Sequence, residues 1–143
     1  MSQLIVDAAR AWIGTPYVHQ ASVKGAGTDC LGLIRGIWRQ FFGPEPERMP
    51  AYTADWGEWG DDELLIGGAG RLLRPADPEE EPGDVLIFRM RSGAIAKHMG
   101  IQARTGAAAS FVHAYDRHGV VESPLAAPWR SKIVGRYRFP PLN

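Results

Sequence analysis

The chain has 143 residues, 45% hydrophobic and 22% charged, which suits a single folded domain over 1–143 with a core of its own. Sixteen basic and sixteen acidic residues cancel, so bulk charge offers nothing to nucleic acid, and no apolar run reaches the ~18 residues that cross a bilayer. The lone Cys30 excludes an intramolecular disulfide and a cysteine-rich zinc site.

The first stretch, "MSQLIVDAARAWIG", carries Asp7 early and lacks a basic start followed by an unbroken apolar core. It does not read as a secretory signal, and synthesis in the cytoplasm is expected. Leu4, Ile5, Ala8, Ala9, Trp12 and Ile13 recur at helical spacing, with Ser2 placed to cap and Gly14 and Pro16 placed to stop the helix. After the loop "TPYVHQASVKGAGTD", the residues Leu31, Leu33, Ile34, Ile37, Trp38, Phe41 and Phe42 predict a central, buried helix that ends at Gly43-Pro44. Residues 44–60 are rich in Pro, Trp and Tyr and read as irregular. Tyr52, Trp56 and Trp59 fit a surface loop packing its own aromatics better than a cleft wall or a docking face. Asp61 or Asp62 is placed to cap a third helix running through Leu73, which Gly67, Gly68 and Gly70 weaken.

From Pro82 the pattern changes. "PGDVLIFRMR", "KHMGIQAR", "SFVHAYD", "RHGVVESPL" and "IVGRYRFP" read as strands and turns, too closely spaced for helical crossovers. Helices first and antiparallel strands after give an α+β class.

Cys30 falls where a Gly-rich loop turns into the central helix. A thiol is a weak nucleophile until deprotonated, and the positive end of a helix dipole favours the thiolate. Such a site also needs an imidazole base and a group to orient it. Of four histidines, His98 and His113 lie in predicted strands that can share a face. A lone cysteine also fits as a small buried hydrophobe, and strand histidines as satisfied core or surface groups.

"WIGTPYVHQ", "GTDCLGLI", "PGDVLIFR", "KHMGI" and "FVHAY" occur in that order, and together they resemble the NlpC/P-sixty superfamily of bacterial cell-wall peptidases. The likeness runs from about Trp12 to Tyr115, and "GRYRF" fits the last strand. "GTPYVHQASVKGAGTDCLGL" and "HGVVESPLAAPWR" resemble the branch encoded with tail genes of phages and phage-like gene transfer agents. The resemblance implies a papain-like fold and hydrolysis of peptidoglycan stem peptides, at the bond from the γ-carboxyl of D-glutamate to the next diamino acid. It implies Cys30 as nucleophile, His98 as base and acid, and His113 as the orienting group, with no metal or organic cofactor. Tyr17 matches a tyrosine near the thiol that assists the oxyanion, and alternatively fits as a core aromatic. Asp29 matches a region that receives the stem-peptide amine, and alternatively caps the Cys30 helix. Phage-like tail proteins are implied partners, and a particle would carry the enzyme to the periplasmic wall.

Two departures bear on the substrate. Leu31 stands where the family often has serine, and "VHQAS" replaces its usual Trp-Gly-Gly. His19 falls in that altered loop, and His118 reads as a hairpin residue beside Gly119. A structural tail module, and an amidase or acyltransferase on the same fold, are the competing readings.

Overall fold

The computed structural model describes residues 2–46, 64–76, 79–94 and 96–142. Tyr52, Trp56 and Trp59, with the candidate caps Asp61 and Asp62, lie outside the described residues. Helix α1 (Ser2–Arg10) buries Ile5, Val6, Ala8 and Ala9 on one face, and Ser2, expected as its cap, is instead the first residue inside the helix. The chain then passes Trp12 and turns at Gly14, whose φ of 94° suits glycine. Two short strands, β1 (Ser22–Val23) and β2 (Gly27–Thr28), pair before α2 (Cys30–Phe42). Two-residue strands carry no periodicity, which is why that loop reads as strandless in the sequence.

Helix α2 is the central helix, with Leu33 and Ile37 fully buried. Two of its glycines are required by close neighbours. A Cβ on Gly32 would collide with the Ala21 carbonyl oxygen, and one on Gly36 with the Trp12 ring. Trp38 and Phe42 are less buried and pack together at 4.9 Å, with Phe139 of the chain end 6.0 Å from Phe42. Helix α3 (Leu64–Leu72) follows, with Leu65 and Ala69 buried.

The main sheet has the order β3-β8-β4-β5-β6-β7, and every recorded pairing is antiparallel. Its strands are β3 (Arg74–Pro75), β4 (Val85–Phe88), β5 (His98–Arg104), β6 (Ser110–Tyr115), β7 (Gly119–Pro124) and β8 (Ile133–Arg138). All five strand segments read from the sequence are present. β3 and the short helix α4 (Ala127–Arg130) are additions. Helices on an antiparallel sheet give the α+β class and papain-like fold.

Strand alternation sorts the side chains into two cores. Val85, Ile87, Met99, Ile101, Val112, Ala114 and Val120 join Leu33 and Ile37 on the helix side. Leu86, Phe88 and Phe111 form a second cluster with Leu125, packed against Trp129. β8 is fastened to β4 by Asp84, which is fully buried and accepts from Arg136 at 2.8 Å and Arg138 at 2.7 Å. A carboxylate removed from water is tolerated there because two guanidinium groups meet it.

Candidate active site

Asp29 starts α2. Its backbone is extended, and its Oδ1 accepts the Gly32 N–H at 2.7 Å, as an N-cap does. Its Oδ2 accepts the Gln20 N–H at 2.7 Å, so the same carboxylate ties the preceding loop to the helix start. Of the two sequence readings for Asp29, the cap is thus a direct contact in the structure.

Cys30 is the first residue of α2 and only 7% exposed. Its sulfur lies 3.7 Å from the Lys97 carbonyl oxygen, where β5 begins. Burial pushes the thiol up to about 12, helped by the Asp29 charge. Backbone hydrogen bonds at Met99, Leu31 and Cys30 pull in the opposite direction and do not prevail. The helix start alone predicts an acidic thiol. Loss of water outweighs the helix end.

His98 is the first residue of β5, and burial pushes its imidazole down to about 4. His113 lies on the neighbouring β6, is fully buried, and is pushed down to about 3 by burial and by the charges of His98 and His118. Both rings are therefore neutral at pH 7. His98 Nε2 and His113 Nδ1 are 2.8 Å apart. Gly100, between them in the strand pattern, leaves the room this needs. A Cβ there would come within 2.8 Å of the Phe111 ring and 3.2 Å of His113 Cβ.

The thiol and the His98 imidazole open into one cleft at the end of the sheet. Tyr17, Asp29, Cys30, Leu31, His98 and Tyr115 line a single cleft of about 200 Å3, with His19, Lys97 and Asp116 also on its walls. Tyr17 is bridged by its backbone to Thr28. Burial raises its hydroxyl above the ordinary range, as do the charges of Cys30, Asp29 and Asp116, so it stays a hydrogen-bond donor. The sequence-predicted residues Tyr17, Asp29, Cys30 and His98 thus share one cleft, and His113 stands behind His98. His118 is exposed and stacks on Tyr115 at 5.1 Å, one ring removed from His113, which stacks on Tyr115 at 5.4 Å.

Two residues of this neighbourhood are absent from the sequence reading. His113 Nε2 is 2.9 Å from Ser123 Oγ on β7. The alternation of "GVVESP" along β7, once registered with Phe111 opposite Ser123, would have placed that hydroxyl on the His113 face. Trp129 of α4 packs 5.6 Å from His98 and 5.1 Å from His113, and closes an aromatic wall with Phe88, Phe111 and Tyr115. α4 is a four-residue helix, too short for a periodic signal.

Comparison with known proteins places this arrangement among relatives. A probable endopeptidase of Haemophilus influenzae is 28% identical over 135 residues, covering 94% of this chain and 72% of that protein. The gamma-DL-glutamyl hydrolase of Bacillus subtilis is 30% identical over 140 residues, which are 97% of this chain and 30% of that much longer protein. Among solved structures, an NlpC/P60 family protein from Bacillus cereus superposes with a TM-score of 0.70 at 19% identity, over 99% of this chain and 41% of that one. The NlpC/p60 domain of the peptidoglycan hydrolase SagA gives 0.56 at 22% identity, over 87% and 90% of the two chains. The model of the NlpC/P60 family matches residues 14–138, a span that holds Tyr17, Cys30 and both paired imidazoles. With that match and the papain-like arrangement together, the chain belongs to the NlpC/P60 family.

Proposed function

We propose that the protein is a cysteine peptidase that hydrolyses peptidoglycan stem peptides, at the bond from the γ-carboxyl of D-glutamate to the following diamino acid. The observation that carries the reading is a helix-start thiol opening into the same cleft as an imidazole that is hydrogen-bonded to a second one. Relatives named as a probable endopeptidase and a gamma-DL-glutamyl hydrolase support peptide-bond chemistry at a γ-glutamyl linkage.

In this reading Cys30 is the nucleophile, and His98 takes its proton as the carbon–sulfur bond forms. Burial favours the neutral form of both the thiol and the imidazole. The oxyanion that develops is met by the Cys30 backbone N–H and the Tyr17 hydroxyl, donors of a kind that contribute on the order of 3 kcal/mol each. His98 passes its proton to the leaving amine as the carbon–nitrogen bond breaks, leaving a thioester. It then takes a proton from water, whose oxygen attacks that thioester, and gives it to the sulfur as the carbon–sulfur bond breaks, which releases the γ-carboxyl product, ionised in water, and restores the Cys30 thiol. His113 orients the His98 ring throughout. Asp29 holds the helix start, and its charge favours an ammonium group in the cleft. Leu31 gives the cleft an apolar wall where a hydroxyl is usual in the family.

The setting we propose is a phage-like particle that breaches the wall locally and carries the enzyme to the periplasmic side. The likeness of "GTPYVHQASVKGAGTDCLGL" and "HGVVESPLAAPWR" to tail-associated peptidases supports it. Incubation with purified peptidoglycan, followed by mass spectrometry of the fragments, tests the chemistry. New γ-glutamyl termini are expected. Sugar–peptide cuts would make the enzyme an amidase, and the absence of any product would make it a structural module.

A further inference from the structure

We infer that Ser123 is a positioning residue that sets the proton pattern of the imidazole pair, extending the site to a relay of Cys30, His98, His113 and Ser123. The inference rests on the cysteine-peptidase reading above. Ser123 stands opposite Phe111 in the β6–β7 register, and His113 opposite Val121, so Ser123 is a diagonal neighbour of His113 on one sheet face. Its Oγ lies 2.9 Å from His113 Nε2, while His113 Nδ1 lies 2.8 Å from His98 Nε2. Three groups on three adjacent strands are thus joined end to end.

The order of contacts dictates which nitrogens carry hydrogen. His98 Nε2 is occupied by His113, so Nδ1 is the nitrogen left to receive the thiol proton. A neutral His98 with a bare Nδ1 carries its hydrogen on Nε2 and donates it to His113 Nδ1. His113 Nδ1 must then be bare, and the hydrogen of this neutral ring sits on Nε2. Ser123 Oγ accepts it. In the reverse pattern His113 donates from Nδ1 to His98 Nε2, the His98 hydrogen moves to Nδ1, and no lone pair faces the thiol. The His113 side chain is fully buried, so an Nε2–H without a partner is costly there. An acceptor at Ser123 favours the productive pattern. When His98 becomes imidazolium, the same pattern lets His113 stay neutral and accept from it.

A hydroxyl can donate as well as accept, so the tautomer is the decisive observable. Nitrogen-15 NMR of the labelled protein should show His113 protonated at Nε2 and bare at Nδ1. Ser123→Ala should bring in the Nδ1-protonated form and lower kcat on peptidoglycan about tenfold, the worth of one ordinary hydrogen bond, with KM unchanged. Ser123→Thr keeps the hydroxyl and should restore both readouts. The inference is overturned by His113 protonated at Nδ1 in the wild type. It is equally overturned if Ser123→Ala leaves the tautomers as they were, whatever happens to kcat. The spectra do not depend on turnover, so failure of the relay and failure of the peptidase reading are separate results.

Discussion

His98 Nε2 and His113 Nδ1 stand 2.8 Å apart, with the two rings crossed at 80°, so the imidazoles act as one hydrogen-bonded unit. In the proposed mechanism the ring that shares the cleft with the thiol is the acid and base. His98→Ala is expected to lower kcat by about 10³-fold, within the usual range for such a group. His113→Asn keeps a side chain able to orient the ring and should lose much less, about tenfold. Steady-state kinetics on purified muropeptides checks the order. Equal losses in the two variants would mean that His113 does more than orient.

Alkylation of Cys30 should be slow at neutral pH in the empty enzyme, because burial pushes the thiol up to about 12. The rate with iodoacetamide, followed by mass spectrometry, should keep rising with pH beyond the point where a free thiol of pKa ~8.5 has levelled off. This reverses the expectation that follows from the helix start alone. Labelling at pH 7 faster than that of free cysteine would restore it.

Asp29 links helix capping to thiol acidity. Its charge raises the Cys30 pKa, and its two oxygens hold the Gly32 and Gln20 N–H groups. Asp29→Asn should therefore speed alkylation of Cys30 while keeping much of the cap. Asp29→Ala should cost about 1–2 kcal/mol in a urea titration, the ordinary loss for an N-cap. An unchanged alkylation rate in Asp29→Asn would show that the carboxylate charge does not reach the sulfur.

Stability should fall as the solution is acidified through the range of the buried imidazoles. His98 moves from an ordinary 6.5 to about 4 on folding, and His113 to about 3. Between these values and 6.5 the unfolded chain binds more protons than the folded one. The folding free energy is thus complete above pH 6.5 and is progressively lost below it. Cys30 acts at the other end. Its folded pKa is raised from 9.0 to about 12, so the folded state binds the extra proton and stability drops as pH rises above 9. Thermal melts of wild type and His113→Asn from pH 4 to 8 test the acid side, where the variant should show the shallower dependence.

The elements that position the thiol were legible in the sequence because they are long or strongly patterned. The central helix announced itself through Leu33, Ile34 and Ile37, and the five strand segments through alternation and flanking turns. Cys30 at a loop-to-helix junction, with His98 and His113 in neighbouring strands, could be read before any coordinate. Three features could not. The two-residue strands β1, β2 and β3 carry no period. Ser123 depends on a register, and register is fixed by pairing across strands. The thiol's acidity depends on how much water reaches it, a property of the assembled cleft.

The division of the sheet into two cores ties the candidate site to both faces of the sheet at once. Leu31, next to the nucleophile, belongs to the helix-side core, whereas Phe88 and Phe111, against the imidazoles, belong to the opposite one. A substitution that loosens either core is therefore expected to shift the thiol against the imidazoles, since each core holds one of the two.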